Sequence, residues 1–446
     1  MKKTLIIALL LATISLGLAL DFRYITLLLI PAVIIFLPKS IFDRRYMFFF
    51  ILSIFAILPQ LERYSVLPVI TSSMASVILL IMLFYSCNNI RLSNSYNIFF
   101  LILIALIAFQ TFRGYFLGYK FYYLFSEAIK YLYYPIGFFF TMSMFKDDDK
   151  DESIIKNFLL FFLVSGIIIS IQILFYHFNV TRGERVLTRQ ANLLLMSIVV
   201  AIIYFFAYAR DIKEKIMISI LLMLYILSVI LFMQRSLWGG IIVALLSLMF
   251  CLQKKIIKSN KEAIIIVLII ALLLAVVINI YQSISFNSDV MSTRTDVLES
   301  GTKSFSLGVR LLSFARIFQK IKNHPIIGSG FGDSLVTPYL NSREVGFVDN
   351  SFIVILWKSG ILGFMIFCVI FIRFFFQLFK IINHSKNKHY ILFAIFSLST
   401  IVGQMVNGLA CVIMILYHFN IYWAAIIAIT DYIYRREFYT QNEKTH

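Results

Sequence analysis

Charge is scarce in this chain. Asp, Glu, Lys and Arg make up 14% of its 446 residues, against 61% that are apolar, a balance far from that of a soluble globular domain. Cysteine is scarcer still. Cys87, Cys251, Cys368 and Cys411 each fall in or beside an apolar run, with no CxxC spacing, which excludes a disulfide framework and a cysteine-ligated zinc site. There is no HExxH, and no paired His/Cys set or DxD-like carboxylate pair on the outer side assigned below. No metal site and no cofactor are therefore expected. No repeat of 20 to 50 residues recurs, so solenoids and propellers are excluded as well.

What the chain has in abundance is apolar runs of 15 to 21 residues. About 20 mostly apolar residues span the hydrocarbon core, and backbone polar groups in lipid must be satisfied within the segment, which selects helices. The expected fold is all-α: a polytopic membrane helix bundle of 12–14 spans, with one larger extracytoplasmic loop carrying amphipathic helices. The runs lie near residues 4–20, 24–38, 46–60, 66–86, 96–112, 124–145, 157–176, 191–209, 216–234, 237–252, 263–281, 351–378, 390–409 and 411–430. The second and third are short for a full crossing, and the last two are readable as one bent element. MKKTLIIALLLATISLGLAL resembles a signal peptide, but another apolar run follows with no small-x-small site, so it is read as an uncleaved first span. Three regions result: a transmembrane bundle over 1–281, an extracytoplasmic loop over 282–350, and transmembrane helices with a cytoplasmic tail over 351–446.

The net charge of +18 does not point to nucleic acid, because most lysines sit in short loops on alternate sides of the spans, as the positive-inside rule requires. With the N-terminus inside, the inner loops hold 16 Lys and 6 Arg, while the outer side holds 11 Arg and 6 Lys; Arg373 lies within a span. Topology explains an inner excess of lysine but not an outer excess of arginine. The guanidinium fork binds phosphate or carboxylate oxygens two at a time, so the outer face suits an anionic ligand or phospholipid headgroups.

Several outer residues are candidates for chemistry. Arg235 in MQRSLWGG sits where a 37-residue apolar stretch must break; at a helix centre it would cost about 2.5–3.5 kcal/mol, less at the tip of a hairpin. Arg182, Arg185 and Arg189 crowd the loop HFNVTRGERVLTRQAN, Arg189 being nearest the next span. Arg310 and Arg316 lie in VRLLSFARIFQKIK, whose apolar spacing predicts an amphipathic helix against the outer membrane surface. His324 precedes Pro325 in NHPIIGSGFG, where the proline and three glycines end that helix. Asp349 and Asn350 open the next span as helix caps or as a carboxylate and amide facing a sugar hydroxyl. Gly360 and Gly363 are spaced to allow close helix packing. The acidic run Asp147–Asp148–Asp149 with Asp151 and Glu152 falls inside and reads as a solvated loop.

These residues, in this order, resemble the O-antigen ligase and polymerase superfamily. The ligase pattern reads His-Asn, nine residues, Gly-x-x-Gly; here Asp349–Asn350, Ser351 to Ser359, Gly360 and Gly363 keep the spacing and change the first residue. NHPIIGSGFG is similar to the family's turn after a helix opening with arginine, here Arg310, and MQRSLWGG stands where members have Ser-Arg. The resemblance covers roughly residues 180–380. It implies a metal-independent glycosyltransferase of the bacterial inner membrane, multi-pass, with both termini cytoplasmic and its active site facing the periplasm. Donor and acceptor would be glycans on undecaprenyl diphosphate, with membrane lipids and a chain-length regulator protein as further partners and no nucleic acid. Carried over residue by residue, it gives Arg235 and Arg310 for the diphosphate and Asp349 in the place of the ligase histidine, all three catalytic; Arg189, Arg182, Arg316, Asn350 and His324 are added as substrate-binding from their places in the outer segments. Asp in place of His favours a Wzy-type repeat-unit polymerase over a ligase acting on lipid A-core. A flippase or transporter of lipid-linked oligosaccharide is the reading from another class; it calls for polar groups at mid-membrane, whereas the polar features here cluster at outer span ends.

Overall fold

Each apolar run between residues 95 and 255 becomes a helix that ends near the charged or turn-forming residues bounding it. The computed structural model describes residues 48–49, 51–53, 79–83, 95–145, 151–179, 192–232, 234–255, 305–336, 344–345, 350–409, 411 and 417–439. The runs at 4–20, 24–38 and 263–281, and most of those at 46–60 and 66–86, lie outside these. The helices are α1 (Ser95–Phe116), α2 (Phe121–Met142), α3 (Asp151–Asn179), α4 (Leu193–Ile203), α5 (Ile212–Phe232) and α6 (Arg235–Lys255). They are followed by α7 (Phe305–Asn323), α8 (Ser351–His384), α9 (Lys388–Gly408) and α10 (Tyr417–Phe438). A π-helical turn, Tyr204–Tyr208, continues α4. Between α7 and α8 a two-residue strand β1 (Leu335–Val336) pairs antiparallel with β2 (Glu344–Val345). The run at 390–430 is two helices rather than one bent element.

Among the described residues six helices, α1, α3, α5, α6, α8 and α9, are long and apolar enough to cross a membrane. The chain is a multi-pass membrane protein. Of the six, α9 is the most enclosed. It lies against α6 along its length and also meets α3, α4 and α8, while α2 packs along α10 and α8 links the two groups through α9, α10 and α1. Buried aromatic rings fill the space between them, Phe100 of α1 lying 4.5 Å from Phe138 of α2.

The helix ends sort into two sets. At one end Glu152 meets Asn387, Tyr208 meets His389, Lys255 reaches the Asn383 carbonyl and Phe145 stacks on Tyr432. At the other, Gln110 meets Ile327, Glu127 meets Lys358, Asn192 meets Asn407 and Asn350 meets Leu409. This is the alternation expected of successive spans, and it gathers the lysines of the described segments expected on the inner side at one end. Two charged groups among the described helices have partners there. Asp431 of α10 is fully enclosed, accepts from Gln377 of α8 and pairs with Arg435, while the Arg373 guanidinium lies over the Tyr96 ring.

Candidate functional site

At the end opposite the lysine-rich loops, the geometry is built around a break in α8. Gly360 has φ 67° and ψ −170°, a region essentially closed to residues with a Cβ. A break strands helical carbonyls and N–H groups, and unpaired ones are costly away from water. The turn after α7 fills the gap. Ser329 N donates to the Trp357 carbonyl and Gly330 N to that of Lys358; Ile361 N donates to the Pro325 carbonyl and Leu362 N to that of Ile326. The two backbones lie so close that a Cβ on Gly328 would come within 2.5 Å of Gly360 N. PIIGSGFG is therefore a splice set into a broken helix. The expectation that Gly360 serves helix–helix packing is corrected here: its absent side chain admits a loop, whereas a Cβ on Gly363 would meet Ser359 and Leu106 of α1.

The splice is locked by charge. Lys358, with its side chain 1% exposed, pairs with Glu127 of α2 at 2.7 Å and also donates to the Asp333 carbonyl. The second Glu127 oxygen accepts from Gly332 N at 2.8 Å. Asp333 accepts from Trp357 Nε1 at 2.7 Å and pairs with Lys320 of α7. From α1, Gln110 donates to the Ile327 carbonyl and Arg113 to those of Ile327 and Gly328. Beside the turn, burial and then the Asp333 carboxylate raise the Tyr119 phenol above its ordinary pKa, so it stays protonated. The apolar face of α7 is met by protein: Ile317 is enclosed with Leu335 and Trp357, with Ile321 and Ile353 against them.

Asn350 is the N-cap of α8, its Oδ1 accepting from Ile353 N at 3.0 Å while Nδ2 donates to the Leu409 carbonyl. The capping left open between Asp349 and Asn350 thus falls to Asn350. Next to it Ser351 Oγ donates to the Cys411 carbonyl. The apolar stretch at MQRSLWGG breaks as expected: α5 ends at Phe232, α6 begins at Arg235, and Gln234 between them accepts from Leu237 N and Trp238 N. Of the two glycines there, Gly240 lies against the α9 backbone, whereas a Cβ on Gly239 would meet nothing within 4 Å among the described residues.

The expected site residues distribute as follows. Asp349, Arg182 and Arg189 lie outside the described residues. Arg235 is the first residue of α6 and Arg310 belongs to α7, with only their backbones described. Arg316 is on an exposed face of α7. His324 is exposed and acts through its backbone, its carbonyl accepting from Gly328 N at 2.9 Å. Sequence reasoning missed Gln110, Glu127, Asp333 and Lys358 as partners of the turn. Lys358 carried a signal, being a charge inside an apolar helix; its partner in α2 did not.

Comparison with known families places these elements in a wider context. Residues 220–368, from within α5 through the splice to within α8, match the family described as O-antigen ligase. No curated protein sequence matches the chain.

Proposed function

Because the chain belongs to the O-antigen ligase/polymerase superfamily of membrane glycosyl-transferring enzymes, through its domain at residues 220–368, we propose that it polymerises oligosaccharide repeat units carried on undecaprenyl diphosphate. The reaction is assigned to the outer face of the bacterial inner membrane. The observation that carries the reading is that this one domain contains the start of α6 at Arg235, Arg310 of α7, the splice, and the Asp349–Asn350 pair at the entrance to α8.

In the proposed reaction an acceptor sugar hydroxyl attacks the anomeric carbon of the donor. The bond from that carbon to the diphosphate oxygen breaks, and undecaprenyl diphosphate leaves. Arg235 and Arg310 hold the diphosphate in bidentate fashion and stabilise the charge that builds as it departs. Asp349 receives the hydroxyl proton. An ordinary carboxylate has a pKa of about 4, so Asp349 first orients the hydroxyl and takes the proton late, when bond formation to the anomeric carbon has acidified it. The scheme calls on no metal.

Asp349 stands where the ligase pattern has histidine, which favours the polymerase. The description of the matching family favours the second reading, transfer of glycan to lipid A-core. Purified protein given a defined undecaprenyl-diphosphate repeat unit is expected to yield a ladder on a gel without added lipid A-core. Arg235→Ala and Arg310→Ala are expected to abolish the ladder at unchanged protein level in the membrane. A normal ladder in both variants would remove the diphosphate role, and product formed only when lipid A-core is supplied would identify the ligase.

A further inference from the structure

The outer end of α9 lies outside the matched domain and carries no arginine or acid, yet three segments that do carry them attach to it. We propose that Gln404 and Asn407 are positioning residues that hold these segments in register for glycan transfer; this rests on the reaction proposed above.

The first attachment is made by side-chain amides. Gln404 Nε2 donates to the Asn192 backbone carbonyl at 2.8 Å, and Asn407 Nδ2 donates to Asn192 Oδ1 at 2.7 Å. The second is backbone on backbone: a Cβ on Gly240 of α6 would come within 2.6 Å of the Gly403 carbonyl oxygen, and one on Gly403 within 2.5 Å of that of Gly240. The third lies just beyond α9, where the Leu409 and Cys411 carbonyls accept from Asn350 Nδ2 and Ser351 Oγ.

Chain connectivity turns these attachments into limits. Arg189 precedes Asn192 by three residues, a reach of at most about 11 Å. Asp349 adjoins Asn350, with Cα atoms about 3.8 Å apart. Arg235 lies five residues before Gly240 within α6, about 7.5 Å along the axis. The tip of α9 is thus the common mount for all three.

Stability alone does not call for amides here. Gln404 and Asn407 are fully buried, and Asn407 Oδ1 has no hydrogen-bond partner among the described residues, which is destabilising relative to an apolar side chain. Intramembrane polar groups that carry such a penalty mark function by default. The amides give what apolar packing does not: one permitted rotation and height of α9 against Asn192, as buried polar contacts do when they specify register.

The test separates positioning from folding, and both from the reaction itself. In full-length protein with its four cysteines replaced by serine, spin labels on Arg189→Cys paired with Arg235→Cys, and on Arg235→Cys paired with Asp349→Cys, report the distances between segments. Narrow distributions are expected, broadening when Asn407→Leu is added. In the unlabelled protein Asn407→Leu is expected to lower kcat about tenfold to a hundredfold, as for a small misplacement of reacting groups, with a smaller change in KM for the lipid-linked donor. Asn192→Leu/Asn407→Leu, which removes both members of the buried pair, is expected to regain thermal stability but not kcat. Unchanged distances in Asn407→Leu, or kcat recovering together with stability, would overturn the proposal. A parent protein that shows narrow distances but transfers no glycan would defeat the reaction and leave the mount standing.

Discussion

Nine residues separate Asn350 from Gly360, and each end of that interval has its own reason for its residue type. Asn350 closes the first turn of α8 with its side-chain oxygen. If Asp349 takes the acceptor proton, Asp349→Asn slows chain extension about a hundredfold, within the usual range for a lost general base. A near-parental rate, measured on the same lipid-linked substrate, would take Asp349 out of the chemistry. Gly360 is demanded by backbone conformation and by crowding, because a Cβ there would run into the Ile326 carbonyl and Gly328 N. Gly360→Ala is expected to cost more than the roughly 1–3 kcal/mol of the backbone strain alone, read as a lower unfolding temperature in detergent. Equal stability of the two proteins would mean that the break does not require glycine.

At the scale of elements, the turn after α7 and the broken α8 form a single unit. Four backbone hydrogen bonds join them, and Lys358 ties both to α2 through Glu127. The basic residues near the turn divide by this criterion. Arg113, Lys320 and Lys358 are spent on holding it, so the positive charge at this end is in part scaffold. Removing one member of an enclosed ion pair leaves the other uncompensated, a loss of about 3–5 kcal/mol. Lys358→Met should therefore destabilise the protein by that order, and Lys358→Met/Glu127→Leu by clearly less. Both are measurable by thermal unfolding in the same detergent; equal losses would show that the two charges do not depend on each other.

At the scale of the whole molecule, the helix ends form two groups, and the proposed reaction needs the group around Asn350 and His324 to face away from the cytoplasm. With the native cysteines replaced, His324→Cys in intact cells should react with a membrane-impermeant maleimide, whereas Lys386→Cys should react only after the inner membrane is opened. The reverse pattern would put the proposed site on the wrong side for a periplasmic product.

The sequence by itself determined the helices from α1 to α10, the break before Arg235, the end of α7 at the proline and glycines of NHPIIGSGFG, and the separation of lysine-rich from arginine-bearing ends. Each follows from local rules: apolar length, backbone conformations open to glycine and proline, and the sidedness of lysine. The tertiary structure alone decided that Glu127 meets Lys358, that the turn is spliced across Gly360, and that Asn192, Gly240 and Asn350 share the tip of α9. Those pairings join residues up to 231 positions apart. No periodicity records them, because a buried polar group finds its partner through helix packing, and a helix of one apolar composition packs against many neighbours until a close backbone contact or a paired amide selects one.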